Sequence, residues 1–133
     1  MTGPSWNWVS ENVVLAIHDE MLAEHGGLGG VRDPSLLLSA LARPQNLAAY
    51  SERDVADLAA AYAAGITRNH AFIDGNKRTG LAVALVFLLD NDYELIAAND
   101  GLVMTMLAVA DGSMSEPELA IWLRTYMRPC KAE

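Results

Sequence analysis

His70, Asp74, Lys77 and Arg78 share one short stretch, "HAFIDGNKRTG" at residues 70–80, and each brings a different chemistry. Histidine is the side chain best able to take a proton from an attacking hydroxyl near neutral pH. Gly75 permits backbone angles that a side chain forbids, and Asn76 is a good cap for a helix beginning there. The first turn of such a helix offers unpaired N–H groups and the positive end of the helix dipole, which together make an anion site. Lys77 and Arg78 add full charges at the same place, and arginine grips phosphate oxygens in bidentate fashion. Asp74 makes little sense as another phosphate contact. It makes good sense as a ligand for Mg²⁺, which takes few carboxylates and draws its other oxygens from phosphates and water.

Taken singly, each of these residues has an ordinary structural explanation. A histidine at a helix end is commonly a solvated cap, Asp-Gly is a common turn, and Lys-Arg pairs are common on surfaces. Their coincidence is harder to explain by solubility. Lys77 and Arg78 at a helix N-terminus oppose the macrodipole, at roughly 0.3 kcal/mol each. A local rule broken in this way points to function.

The elements that must position these residues are helices almost throughout. Ser10 caps a first helix over residues 10–25, whose face carries Val14, Ile17 and Met21, with "GGLGG" as its stop. Asp33 followed by Pro34 opens a short helix through Leu41, and "RPQNLAAYSE" at 43–52 breaks the pattern. Ser51 with Asp54 resembles a capping box for a helix running to Asn69, with Val55, Leu58, Tyr62 and Ile66 on one face. Residues 79–89 are apolar all round beyond their first residues, which predicts a central helix over 76–90 packed on several sides. "ELIAA" reads as a brief extended piece. Asn99 then caps a helix ending at Gly112, and Ser115 with Glu118 opens a last helix marked by Leu119, Trp122 and Tyr126. The fold class is all-α, a compact bundle of about six helices around a central buried one.

Composition sets the outer limits. A chain of 133 residues, 52% hydrophobic, reads as one domain over residues 1–133 with a sizeable core. Its longest apolar run, Leu81–Leu89, is too short to cross a bilayer. The opening residues carry no basic-then-apolar export pattern, and the lone Cys130 has no partner for a disulfide, so a reducing cytoplasm is the expected setting. A net charge of −8 argues against direct nucleic-acid binding, which needs a basic face. The cations are unevenly placed: of nine Lys and Arg, three (Arg68, Lys77, Arg78) lie within residues 68–78. Phosphate handling is therefore local.

At these residues the chain resembles the Fic/Doc family, whose signature H-x-F-x-D/E-G-N-G/K-R is met at His70, Phe72, Asp74, Gly75, Asn76, Lys77 and Arg78. "HDEMLAEHGGLGGVRDPSLLLSALARPQ" further resembles the N-terminal part of the death-on-curing (Doc) branch. The resemblance implies that His70 is the general base toward a target hydroxyl. It makes Asp74 the Mg²⁺ ligand, and Gly75, Asn76, Lys77 and Arg78 the cradle for ATP phosphates. Arg68 would be an auxiliary phosphate contact. Catalysis would rest on His70, Asp74 and Arg78.

Departures from the common Fic pattern bear on the reaction. AMP-transferring members carry glycine where this chain has Lys77 and a second arginine where it has Leu81. Both changes resemble the Doc branch, whose members are implied to transfer the γ-phosphate of ATP to a threonine of elongation factor Tu and so stop translation. AMP transfer to a protein hydroxyl stands as the alternative reading, and a non-catalytic antitoxin-binding module as a third. Gly75 is often alanine in Doc itself, so substitution there is expected to matter little. A self-inhibitory S/T-x-x-x-E-G/N helix is missing: the only Glu followed by Gly or Asn is Glu11, with Asn7 four residues before it. Restraint is then expected from a Phd-like antitoxin whose disordered C-terminal segment folds into a groove. Trp6 and Trp8 read equally as groove lining or as core. The flap that aligns a target backbone is expected within residues 43–52.

Other candidates carry less. His18, Asp19 and Glu20 have metal-ligand chemistry, but adjacent helical residues point in different directions and no second cluster completes a zinc set. His25 reads as a helix-end cation, and Cys130 lacks a neighbouring base. "GGLGG" follows a helix without preceding a strand, so it reads as a flexible connector.

Overall fold

The computed structural model describes residues 5–130. Six helices and one small sheet lie among the described residues: α1 (Glu11–His25), α2 (Pro34–Tyr50), α3 (Val55–Asn69), α4 (Asn76–Asp90), β1 (Tyr93–Leu95), α5 (Asn99–Asp111), α6 (Glu116–Tyr126) and β2 (Met127–Pro129). The architecture is the all-α bundle of six helices that the sequence predicts. The opening residues 1–4, which entered the export reading, lie outside the described part.

The most enclosed helix is α3, not α4. From Val55 to Thr67 every residue of α3 except Asp57 is buried. Its run of alanines with Gly65 and Thr67 has little side-chain bulk, so α2, α4, α5 and α6 all reach it closely. α2 crosses at Ala40, where a side chain on Gly65 would come within 3.4 Å of the Ala40 Cβ. α4 crosses at Gly80, whose missing side chain would fall 2.9 Å from the Ala63 carbonyl oxygen. α4 still packs on several sides, burying Val83, Ala84, Phe87 and Leu88, but Leu89 is 56% exposed. Phe87 gathers Trp6, Trp8 and Tyr62 around it, with ring centroids 5.2–6.2 Å away, so both tryptophans pack against the core.

Helix boundaries differ from the sequence reading at four places, each for a local reason. α2 does not stop at Leu41 but runs to Tyr50. Pro44 forgoes only its own amide bond, its ring is buried, and Leu47 and Ala48 pack against the core. Residues 43–50 are therefore helix, and the flap expected at 43–52 is not a separate loop there. Ser51 closes α2, its hydroxyl donating to the Leu47 carbonyl, while the capping box of α3 is Asp54 with Asp57. The side chains of Asn76 and Asn99 cap neither α4 nor α5: both residues are the first helical position, behind Gly75 and Ala98. Ser10, Asp33 and Ser115 cap as the sequence says.

The extended piece after α4 is β1, one residue earlier than "ELIAA" begins, and it pairs antiparallel with β2 in register Glu94↔Arg128. Three-residue β2 carries no alternation that sequence periodicity can detect; its Arg128 Nε lies 3.1 Å from a Glu94 carboxylate oxygen.

Candidate active site

Residues 70–75 form the turn between α3 and α4, and contacts from Arg32, the loop after α1, His18 and Asn76 hold it. His70 ends α3 in the left-handed region (φ 49°), a strained setting for a non-glycine residue. Arg32 holds it there, with Nε donating to the His70 carbonyl (2.7 Å) and Nη2 to the Asn69 carbonyl (3.2 Å). The His70 residue itself is exposed at the mouth of the joint. Ala71 and Phe72 are buried, the Ala71 carbonyl accepting from the amides of both Arg32 and Asp33. Phe72 points inward, buried against His18.

The glycine-rich segment after α1 is not a loose connector. Gly27 and Gly30 adopt φ values of 119° and 114°, and these turns fold residues 28–33 back along the motif. Val31 makes a β-bridge with Phe72, Ile73 donates to the Gly30 carbonyl (3.1 Å), and the Leu28 amide donates to Asp74 Oδ2 (2.8 Å). The residues missed by sequence reasoning are here. Arg32 reaches only backbone carbonyls and Leu28 donates its own amide, so neither contact leaves a pattern in the motif.

His18 was legible only as a poor zinc ligand. It is 3% exposed, stacks on Phe72 at 3.8 Å between ring centroids, and its Nε2 lies 2.7 Å from the Asp74 carbonyl oxygen.

Asn76 closes the turn from the other side. Its amide oxygen accepts from the Phe72 N–H and its NH₂ donates to the Phe72 carbonyl, both at 3.0 Å. Occupied in this way, the side chain caps nothing, and the cap position falls to Gly75 at φ 80°. The start of α4 therefore has no side-chain cap and no acidic residue in its first turn. Lys77 and Arg78 stand in this uncapped first turn, and neither forms an ion pair among the described residues. Both cations line a pocket of about 390 Å³ with Leu81 from α4 and Val103, Met106 and Leu107 from α5. An uncapped helix start, two free cations and an apolar wall are what a phosphate ester with an organic tail fits.

Asp74 is exposed, and with Oδ2 on the Leu28 amide its other carboxylate oxygen carries no hydrogen bond among the described residues. No three His, Cys, Asp or Glu side chains gather for a metal among those residues. A single free carboxylate oxygen beside a phosphate seat fits Mg²⁺ held jointly by protein, phosphates and water. Arg68 is placed differently from the other cations. Its Nη2 donates to the Met114 carbonyl (2.7 Å) and its Nε to that of Val109 (3.5 Å), so its guanidinium caps the end of α5 and does not line the pocket.

The model of the Fic/DOC family matches residues 8–88, from the approach to α1 to the end of α4. The chain is 34% identical over 117 residues to the protein kinase doc of Escherichia phage P1, covering 87% of this chain and 92% of that one. It is 46% identical over 79 residues to the toxin Doc of Mycolicibacterium smegmatis, covering 56% of this chain and 59% of that one. No described helix is long and apolar enough to cross a membrane.

Proposed function

The chain belongs to the Fic/DOC family and aligns with its Doc branch, and on that premise we propose that it is a Doc-like toxin kinase of the cytoplasm. In this reading it transfers the γ-phosphate of ATP to a serine or threonine hydroxyl of a protein, by resemblance elongation factor Tu, and so inhibits translation. A Phd-like antitoxin restrains it. The observation that carries the reading is the uncapped start of α4, with Lys77 and Arg78 unpaired beside it and His70 and Asp74 in the turn that precedes it.

His70 takes the proton of the target hydroxyl as its oxygen attacks the γ-phosphorus; the bond from that phosphorus to the bridging oxygen breaks, and ADP leaves with the electron pair. The free N–H groups of α4, Lys77 and Arg78 neutralise charge on the phosphates in transit. Asp74 would hold Mg²⁺, which when bound adds a charge that screens the phosphate oxygens. The clamp of Arg32 on the His70 backbone keeps the imidazole at the mouth, where a protein hydroxyl can reach it. Lys77 fills the place where glycine lets a backbone close on phosphates. Leu81 supplies an apolar wall where a second arginine would grip them, and both favour γ-transfer over AMP transfer.

ATP labelled on either the α- or the γ-phosphate tests this in a cell extract. Label reaching a protein from the γ position alone is the expected result, and it disappears with His70→Ala. Label from the α position makes the chain an AMP transferase. Label from neither, with His70→Ala indistinguishable, removes the enzymatic reading.

A further inference from the structure

We propose that His18 is the positioning residue of this site, fixing the Asp74–Gly75 peptide from beneath and thereby aiming the Asp74 carboxylate. The inference rests on the reading of Asp74 as the metal ligand. His18 lies in the third turn of α1, far from the motif in sequence and 3% exposed. A buried side chain there has to fill the space under Phe72, and any large apolar residue would do that. A buried ring nitrogen is disfavoured unless it is bonded. Among the described residues the Nε2 of His18 makes one hydrogen bond, 2.7 Å to the Asp74 carbonyl oxygen. Carbonyl oxygens only accept, so Nε2 carries the proton and the ring is a donor aimed at one peptide group.

Three contacts place the ring. Its face lies on Phe72, 3.8 Å between centroids and 11° from parallel. Its edge meets the Asp74 carbonyl. Gly75 passes over it so closely that a side chain there would touch the ring at 3.6 Å. The peptide that follows Asp74 therefore has its orientation set by His18. The carboxylate of the same residue is held by the Leu28 amide, from the loop that α1 runs into. Asp74 is thus fastened at its main chain and at one carboxylate oxygen, both times by the segment 18–28, which leaves its second carboxylate oxygen without a hydrogen-bond partner among the described residues. Partners that orient a metal ligand in this way commonly change metal affinity about 10- to 100-fold when removed.

Three substitutions separate the donor from the ring. His18→Gln keeps an N–H at a reach close to that of Nε2 without the ring; His18→Met has a similar straight chain without the donor; His18→Phe keeps the stack on Phe72 without the donor. Two measurements are made on each full-length variant: affinity for Mn²⁺ in the presence of a non-hydrolysable ATP analogue, and NMR amide exchange at Leu28, which reports the Asp74 carboxylate directly. The expected result is about 10-fold weaker Mn²⁺ binding and faster Leu28 exchange in His18→Met and His18→Phe, with His18→Gln near wild type. If one donor-less variant does not fold, the other makes the comparison. Wild-type metal affinity and Leu28 exchange in every folded variant would overturn the inference. Asp74→Asn is the control on the underlying reading: unchanged Mn²⁺ affinity there removes Asp74 as a ligand, and Leu28 exchange then decides the positioning role alone.

Discussion

Asn76 and Phe72 close the motif turn by a double hydrogen bond, the amide of one side chain satisfying both the N–H and the carbonyl of one peptide residue at 3.0 Å each. The pairing explains why asparagine stands at the first position of α4 without capping it. The turn needs a side chain that both accepts and donates, and only the carboxamides do so in a fixed plane. Asn76→Ala leaves two part-buried groups of Phe72 unpaired and is expected to lower unfolding free energy by about 1–3 kcal/mol in urea titrations. Asn76→Asp retains the acceptor and loses the donor, so a smaller stability loss is expected. The added negative charge at the start of α4 should weaken ATP binding more than Asn76→Ala does, which calorimetry checks.

The crossing of α3 and α4 depends on Gly80 in the same direct way. A side chain there would lie 2.6 Å from Thr67 Oγ1 and 2.9 Å from the Ala63 carbonyl oxygen. Thr67 can be cut back, but the carbonyl belongs to the backbone of the most enclosed helix. Gly80→Ala is expected to destabilise by about 1–3 kcal/mol through overpacking, and Thr67→Ala in the same chain should recover only part of that. Thr67 Oγ1 is itself buried without a hydrogen-bond partner, so Thr67→Val alone is expected to be neutral or stabilising. Melting curves of the three variants order these effects.

Much of this arrangement was legible in the sequence because it is written in local grammar. Ser10, Asp33 and Ser115 cap as their side chains predict, and the motif announces its own chemistry by residue type. What escaped depends on distance along the chain. His18, Leu28 and Arg32 reach the motif from the α1 segment through backbone oxygens and amides, which leave no pattern in either stretch. The central place of α3 is hidden in the sequence because alanine is a weak hydrophobic signal, although small size is what lets four helices approach it. Pro44 misled in the opposite sense, since one missing amide bond does not end a helix whose next turns pack against the core.

Acid should loosen the joint between α3 and α6 as Asp54 takes up a proton. Arg124 donates to both carboxylate oxygens of Asp54 (2.7 and 3.0 Å), which holds the Asp54 carboxyl below the usual aspartate range; the Asp57 amide of the capping box adds to this. A carboxyl depressed in the folded state contributes stability that is present above its unfolded value, about 3.9, and is lost as pH falls through the folded one. Arg124→Met is expected to lower stability at pH 7 by about 0.5 kcal/mol, the side chains being partly exposed. The gap from wild type should narrow steadily below about pH 4, as unfolding curves at several pH values would show.

Two glycines beside Asp74 make opposite predictions for the same substitution. Gly75 sits at φ 80° and ψ 16°, so alanine there is expected to lose about 1–2 kcal/mol of stability, more than the small effect its frequent replacement in the Doc branch suggests. The added methyl would meet only Leu22 and His18 at 3.5–3.6 Å, ordinary contact distances, so transfer activity per folded molecule should persist. Gly27 has φ 119°, well outside the left-handed helical region, and its methyl would press Leu22 at 3.1 Å and the Asp74 Cβ at 3.2 Å. Gly27→Ala should therefore lose more stability than Gly75→Ala and also displace the residue read as the metal ligand. A raised Mg²⁺ requirement in Gly27→Ala and an unchanged one in Gly75→Ala, measured at a temperature where both remain folded, is the expected pair of results. Equal requirements would show that the methyl of residue 27 is absorbed by Leu22, leaving Asp74 where it stands.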